Sequence, residues 1–257
     1  MHPIPNFRRP NASVALLGAA FAAALSVAGC SYTSTAAAAH VLHVRLSMRE
    51  RGNNFEVRLP AGDITIVPGP AGRVSLRGTA SYKGERQPAI SFTTIGGLTV
   101  LRSACRSSDH SCGYDYTITL PPSLNAEVST AAGNIAVSGS AGRLSLRSAA
   151  GNLTLDHVSG PLSASIGSGD VTGRALSAVS CRVQDGAGNV SLAFDLPPKN
   201  VAVQGSVGNV SVSVPLAHRY HVMLNDDQGN MSTAVPDDPI APNKITLSES
   251  IGNVALA

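Results

Sequence analysis

Apolar and polar residues alternate with a period of two through most of the chain. Ile135 and Val137 are separated by Ala136, Leu144 and Leu146 by Ser145, and Leu153 and Leu155 by Thr154. The alternation continues through Leu162, Ala164 and Ile166, then Val179, Cys181 and Val183, then Val201 and Val203, then Val210, Val212 and Val214. Successive side chains of an extended strand point to opposite faces, so each segment predicts a strand with one buried and one wet face. No segment beyond residue 30 carries the period of an amphipathic helix. The pattern predicts an all-β chain.

A second regularity lies over the first. Glycine, then Asn or Asp, then an aliphatic residue recurs at Gly133-Asn134-Ile135, Gly151-Asn152-Leu153, Gly169-Asp170-Val171, Gly188-Asn189-Val190, Gly208-Asn209-Val210, Gly229-Asn230-Met231 and Gly252-Asn253-Val254. The glycines are 18, 18, 19, 20, 21 and 23 residues apart, and an early copy stands at Gly62-Asp63-Ile64. Each period holds two strand-like pieces. A unit of that size cannot bury its own apolar face, whereas stacked units can. The expected fold is a β-solenoid or β-helix-like stack of ~18–23-residue coils over residues 40–257. Seven to nine coils at the normal strand spacing give a stack of roughly 35–45 Å. Gly and Asn tolerate positive φ and suit the corners, where stacked Asn side chains can form a hydrogen-bonded ladder.

The first residues read differently. Arg8 and Arg9 precede an apolar stretch from Val14 to Ala28, which ends in Val27-Ala28-Gly29-Cys30. A basic start, a short apolar run and small residues before the break are the marks of a signal peptide, here residues 1–29, and the run is too short for a membrane span. Val-Ala-Gly-Cys resembles the lipobox of bacterial lipoproteins, in which the cysteine becomes the first mature residue and carries acyl chains. The resemblance implies lipidation at Cys30, a flexible tether over residues 30–39, and an extracytoplasmic, membrane-anchored location. Removing residues 1–29 takes away two arginines and no acid, leaving 17 basic against 16 acidic residues. So balanced a chain has no basic footprint for nucleic acid. Aromatic residues make up 4% of the chain, tryptophan is absent and glycine numbers 25, which suits many short strands joined by tight turns.

Tyr116-Thr117-Ile118-Thr119-Leu120-Pro121-Pro122, Asn125-Ala126-Glu127-Val128 and the serial Gly-Asn-aliphatic corners, with Pro215 and Tyr220-His221-Val222 further on, resemble a bacterial surface family catalogued as putative adhesin. The resemblance covers roughly residues 40–257 and implies a non-catalytic repeat domain. It carries no catalytic residues to transfer.

Candidate chemistry is sparse. Cys105 and Cys112 flank a polar turn, where a disulfide would close a hairpin outside the cytoplasm. A metal pair with His110 is the rival reading. Cys181 alternates with Val183 and should point inward. The acids Asp63, Asp170, Asp185, Asp226, Asp227, Asp237 and Asp238 sit at expected corners, where aspartate commonly satisfies turn backbone. Asp170 and Asp185 are expected near each other without further residues converging on them. The N-x-[ST] matches at Asn152, Asn189, Asn209 and Asn230 follow from the repeat itself: corner Asn, inward aliphatic, outward hydroxyl. No cofactor-binding motif is present.

Residues 81–117 break the period and read as an irregular hairpin insertion or cap. Tyr82, Lys83, Arg86 and Arg106 are the expected partner-binding residues there, with Tyr114 and Tyr116 expected inside. The function expected from the sequence is a lipid-anchored cell-surface or envelope protein with a non-catalytic repeat domain for adhesion, ligand binding or structural spacing, its partner an envelope or extracellular ligand. The alternative is a carbohydrate-active enzyme on a β-helix, which would need two carboxyls ~5–9.5 Å apart in a cleft.

Overall fold

The computed structural model describes residues 39–105 and 112–257. The expectations placed on residues 1–38, including Cys30, and on Arg106 and His110 lie outside the described residues. The described chain is all-β, with no helix, and its strands join in one sheet of 19. In chain order they are β1 (Ala39–Arg49), β2 (Asn54–Leu59), β3 (Ile64–Pro68), β4 (Arg73–Lys83), β5 (Ala89–Ile95), β6 (Leu98–Ala104) and β7 (Cys112–Leu120). Then come β8 (Asn125–Ala132), β9 (Ile135–Ser138), β10 (Leu144–Ala150), β11 (Leu153–Asp156), β12 (Leu162–Ser168) and β13 (Val171–Leu176). The last six are β14 (Ser180–Asp185), β15 (Val190–Phe194), β16 (Asn200–Gln204), β17 (Val207–Ser213), β18 (Tyr220–Thr233) and β19 (Asn243–Leu256).

From β8 to β17 each strand pairs in parallel with the strand two places on. One ladder runs β8–β10–β12–β14–β16 and the other β9–β11–β13–β15–β17. The register follows the sequence period. Val128, Leu146, Ala164, Val183, Val203 and Leu247 align in one column, and Ile135, Leu153, Val171, Val190, Val210 and Val254 in another. All of them are buried and belong to one apolar cluster shared by both ladders. The corner glycines are required by conformation and by space. Gly151 has φ of 135°, and a Cβ there would fall onto the Gly133 carbonyl of the layer before. The corner Asn and Asp side chains form the expected ladder. Asn134 Oδ1 accepts from the backbone N–H of Asn152 at 2.9 Å, Asn152 Oδ1 from Asp170 at 2.9 Å, and Asp170 Oδ1 from Asn189 at 2.8 Å. The series starts at Asp63, which accepts from Asn134 at 2.7 Å, and ends at Asn230, which donates to Asn253 at 3.3 Å.

Spatial order departs from chain order at both ends. β2 and β3 lie between the β8/β9 layer on one side and β6/β7 on the other, all in parallel. β19 lies between β16/β17 and β18. β18 and β19 are each 14 residues long, and β19 extends along both ladders as a single strand. Nine layers result, in the order β6/β7, β2/β3, four regular pairs from β8/β9 to β14/β15, β16/β17, β19 and β18. Beyond β6/β7 the direction reverses: β5 pairs antiparallel with β6, β4 with β7, and β1 with β4.

Two sequence assignments of facing are corrected. Val179 is 51% exposed because it precedes β14, where its carbonyl accepts from the N–H groups of Lys199 and Asn200. Met231 is 53% exposed although it carries the inward position of its repeat, because β18 is the last layer and from Asp227 onward no described strand pairs with its outer side.

Candidate functional site

The outward face of the first ladder carries two adjoining grooves. One, of about 390 Å³, is lined by residues including Arg143, Ser145, Ser163, Arg182 and Asn200. The other, of about 320 Å³, is lined by residues including Asn54, Glu56, Asn125, Glu127, Arg143 and Ser145. Arg143 and Ser145 belong to both, so the grooves run together across the layers. Strand pairing explains the arrangement. Glu127, Ser145, Ser163, Arg182 and Ala202 occupy one outward column, continued in register by the buried Glu56, and the short side chains Ser145, Ser163 and Ala202 leave the trough. Arg147 pairs with Glu127 at 3.0 Å and borders this column. Hydroxyls, amides and guanidinium groups repeating every layer can hydrogen-bond an extended polar ligand. The trough has no aromatic platform apart from the partial contribution of Phe55, whose ring is buried.

A different column runs inside one corner. Thr130, Ser148, Ile166 and Asp185 are in register; Gly205 and Glu249 directly follow the aligned Gln204 and Ser248, and Glu249 is in register with Asp226. Hydroxyls at the start of the column bond to corner carbonyls, as Ser148 does to Gly133 at 3.2 Å. Carboxyls take over at the other end. Asp185 is 5% exposed and Glu249 2% exposed. A Cβ on Gly205 would meet the Glu249 carboxyl, so glycine makes room for it. Asp185 Oδ1, Glu249 Oε1 and Asp226 Oδ2 are buried without a hydrogen-bond partner. Burial pushes the Asp185 carboxyl up, the charge of Asp170 adds to the rise, and the N–H groups of Gly186 and Ala187 pull it down. Burial also pushes Glu249 up, against the Ser250 and Ile251 N–H groups, with the charges of Asp185 and Asp226 reinforcing the rise. The expectation that nothing joins Asp185 is therefore corrected: Glu249 approaches it from β19, with Asp226 beside Glu249 on β18. Sequence spacing could not reveal this, because β19 comes next to β16 only through the swapped order of the last two layers. No group of three His, Cys, Asp or Glu side chains among the described residues is placed to hold a metal ion. Neither groove is lined by these carboxyls. The chemistry the corner can perform is to bind and release protons.

The partner-binding candidates divide. Lys83 and Arg86 are exposed. Tyr82 is 9% exposed and stacks on His40 with ring centroids 5.3 Å apart, which corrects its assignment to the surface. The reason is β4, whose alternation points Val74, Leu76, Ala80 and Tyr82 to the core. Arg106 lies outside the described residues. Tyr114 and Tyr116 are buried, the latter bonded to Ser103 at 3.1 Å, and burial pushes its phenol up to about 12. Cys105 and Cys112 form a disulfide with Cα atoms 5.6 Å apart. Cys181 is a free, buried thiol that burial pushes up to about 12, which leaves it unreactive.

No family profile and no curated protein matches the chain. Solved structures do resemble it at a distance. An adhesin from Bacteroides fragilis, described as putative, is 11% identical with a TM-score of 0.45, over 84% of this chain and 97% of that one. A putative cell adhesion protein from Clostridium sporogenes is 12% identical with a TM-score of 0.36, over 84% and 99%. A putative lipid binding protein from Parabacteroides distasonis is 10% identical with a TM-score of 0.32, over 85% and 96%. These are β-rich neighbours whose low identities and TM-scores add no argument about function.

Proposed function

We propose that the chain is a lipid-anchored envelope protein whose residues 40–257 form a non-catalytic β-solenoid that binds an extended polar ligand along its outer face. The observation that carries the reading is the trough across the first ladder, where Asn54, Asn125, Arg143, Ser145, Arg182 and Asn200 recur layer after layer. Support for the solenoid comes from the parallel pairing of each strand with the next but one, in the register of the Gly-Asn period. Support for the anchor comes from the Val-Ala-Gly-Cys sequence at Cys30. The acyl chains there would hold the domain at the membrane, at ~0.8 kcal/mol per buried CH₂. The binding reading is tested by titrating the protein with soluble envelope polysaccharide and following Arg143→Ala with Arg182→Ala. A loss of binding in a folded double variant is expected, and unchanged binding overturns the trough as the site. Detergent partitioning of wild type and Cys30→Ala tests the anchor: the wild type is expected in detergent, and the variant either in the aqueous phase or retained as a precursor that keeps residues 1–29; wild type and variant alike in the aqueous phase would mean that Cys30 is not lipidated.

A further inference from the structure

The antiparallel sheet outside the stack carries a cationic face. In β1 the exposed residues include His40, Val41, His43, Arg45, Ser47 and Arg49, and in β4 they include Arg73, Arg77 and Lys83. The register sets Arg45 directly opposite Arg77 and Arg49 directly opposite Arg73. Like charges facing each other across an antiparallel pair destabilise it. None of the four arginines makes an ion pair with a described residue, although Arg73 donates to Ser47 at 3.5 Å. The nearest acid on the same face is Asp115, which stands opposite Thr79 rather than an arginine, and Glu50 follows at the end of β1. With ~3.3 Å per residue and ~5 Å between facing positions, the four occupy a patch of roughly 5 by 13 Å. Edge protection accounts for charges on β1, which has a free side, but not for those on β4, which is paired on both sides.

A cleft of about 450 Å³ adjoins the patch, lined by Met48, Arg49, Arg51, Phe92, Thr93 and Thr94. Arg49 and Arg51 border it, while Met48 and Phe92 lie on the opposite, core-facing side of the strands and pack against the apolar cluster. Guanidinium groups crowded on one face match the phosphates at the surface of an anionic bilayer.

We propose that the β1–β4 face docks the domain onto anionic phospholipid, with Arg45, Arg49, Arg73 and Arg77 on the headgroup phosphates. The choice of partner rests on the lipid-anchored reading. β1 begins nine residues after Cys30, so a lipid there keeps Ala39 within roughly 30 Å of the bilayer. The anchor holds the protein to the membrane, and the arginine face fixes which side of the domain turns toward it. Arginine reaches phosphate with two parallel hydrogen bonds, and such attraction weakens with salt.

The test uses the mature chain from residue 31 onward, so that neither the lipid on Cys30 nor the apolar stretch Val14–Ala28 contributes, and vesicles of phosphatidylcholine with and without phosphatidylglycerol. Binding is expected with phosphatidylglycerol and should weaken as salt rises. The quadruple variant Arg45→Gln, Arg49→Gln, Arg73→Gln, Arg77→Gln should lose affinity on the order of a thousandfold. Arg174→Gln with Lys199→Gln removes two exposed charges elsewhere and should leave vesicle binding unchanged. A circular-dichroism melt confirms that each variant is folded, and Arg45→Gln with Arg77→Gln serves if the quadruple variant is not. Equal binding by the arginine variants and their parent overturns the proposal, as does retention on a sulfated polysaccharide with none on phosphatidylglycerol vesicles. Detergent partitioning of the wild type reports the anchor separately, so a lipidated protein whose face ignores anionic vesicles keeps the first reading and loses this one.

Discussion

A stack of parallel strands leaves unpaired backbone at each end, and the two ends of this molecule treat it differently. At the β6/β7 end the chain reverses direction and covers the stack with antiparallel β5, β4 and β1, while Cys105–Cys112 ties β6 to β7. At the other end β18 is covered only where it begins. There Val222 N–H donates to Asp237 at 2.8 Å and Asp238 N–H donates to the Tyr220 carbonyl at 2.9 Å. From Asp227 to Thr233 the strand is exposed throughout. One end is closed by added strands and a covalent bond, the other by carboxylates that discourage further pairing. Both ends also place the later or earlier piece of chain out of turn, so that β2/β3 and β19 are interior layers. The same motif then has opposite fates: Val254 is 0% exposed and its neighbour Met231 53%.

The largest expected effect contrasts interior and end. Val210→Asp puts an unpaired charge into a fully packed column and should cost more than ~4 kcal/mol, leaving the domain unfolded or nearly so. Met231→Asp at the equivalent position of β18 should stay within about 0.5 kcal/mol. Similar urea midpoints for the two would break the comparison.

The covalent tie comes next. Replacing both Cys105 and Cys112 by serine opens a short loop and should cost ~2–3 kcal/mol on chain-entropy grounds. The loss belongs to one end. Amide exchange should quicken in β4, β5, β6 and β7 while the β18–β19 pair keeps its protection, and uniform quickening would show that the ends are not separate.

The acidic corner comes third. Burial holds Asp185 and Glu249 above the ordinary values of 3.8 and 4.5. Folding therefore favours their protonated forms. Their contribution is fully present below those ordinary values and is lost as pH rises through the folded ones. Asp185→Asn with Glu249→Gln should raise stability at neutral pH by about 1–2 kcal/mol, with the gain fading on acidification. A gain that is constant between pH 4 and 8 would remove ionisation as its cause.

The smallest effect tests the edge. Asp237→Ala removes the acceptor of the Val222 N–H and should barely move the melting temperature while increasing concentration-dependent self-association in sedimentation. The Val222 bond holds the Asp237 carboxyl below its ordinary 3.8, so this protection is present above that pH and fades below it. An unchanged sedimentation profile would mean that Asp226 and Asp227 guard the edge without it.

Much of the regular region was legible in advance. Leu144, Leu146, Leu153 and Leu155 are buried because the period of two and the spacing of 18 agree, and local alternation needs no distant information. The trough was not legible, since Ser145 and Arg182 become neighbours through Ser163 only once three layers align. Nor was the arginine face, where Arg45 and Arg77 are 32 residues apart and meet across an antiparallel pair that no repeat announces.

What the sequence by itself determined is the strand character, the inward and outward faces from β8 to β17, and the corners built on glycine and asparagine. These follow from stereochemistry within a single repeat. What only the tertiary structure decided is the order of layers at the two ends, and with it the burial of Val254 beside the exposure of Met231, the meeting of Asp185 with Glu249, and the opposition of Arg45 and Arg77. Equivalent repeats present nearly equivalent pairing edges, so local sequence sets how a layer is built but not which layer lies beside it. That choice falls to the packing of the ends, where a reversed sheet closes one side and a 14-residue strand slides between two others on the opposite side.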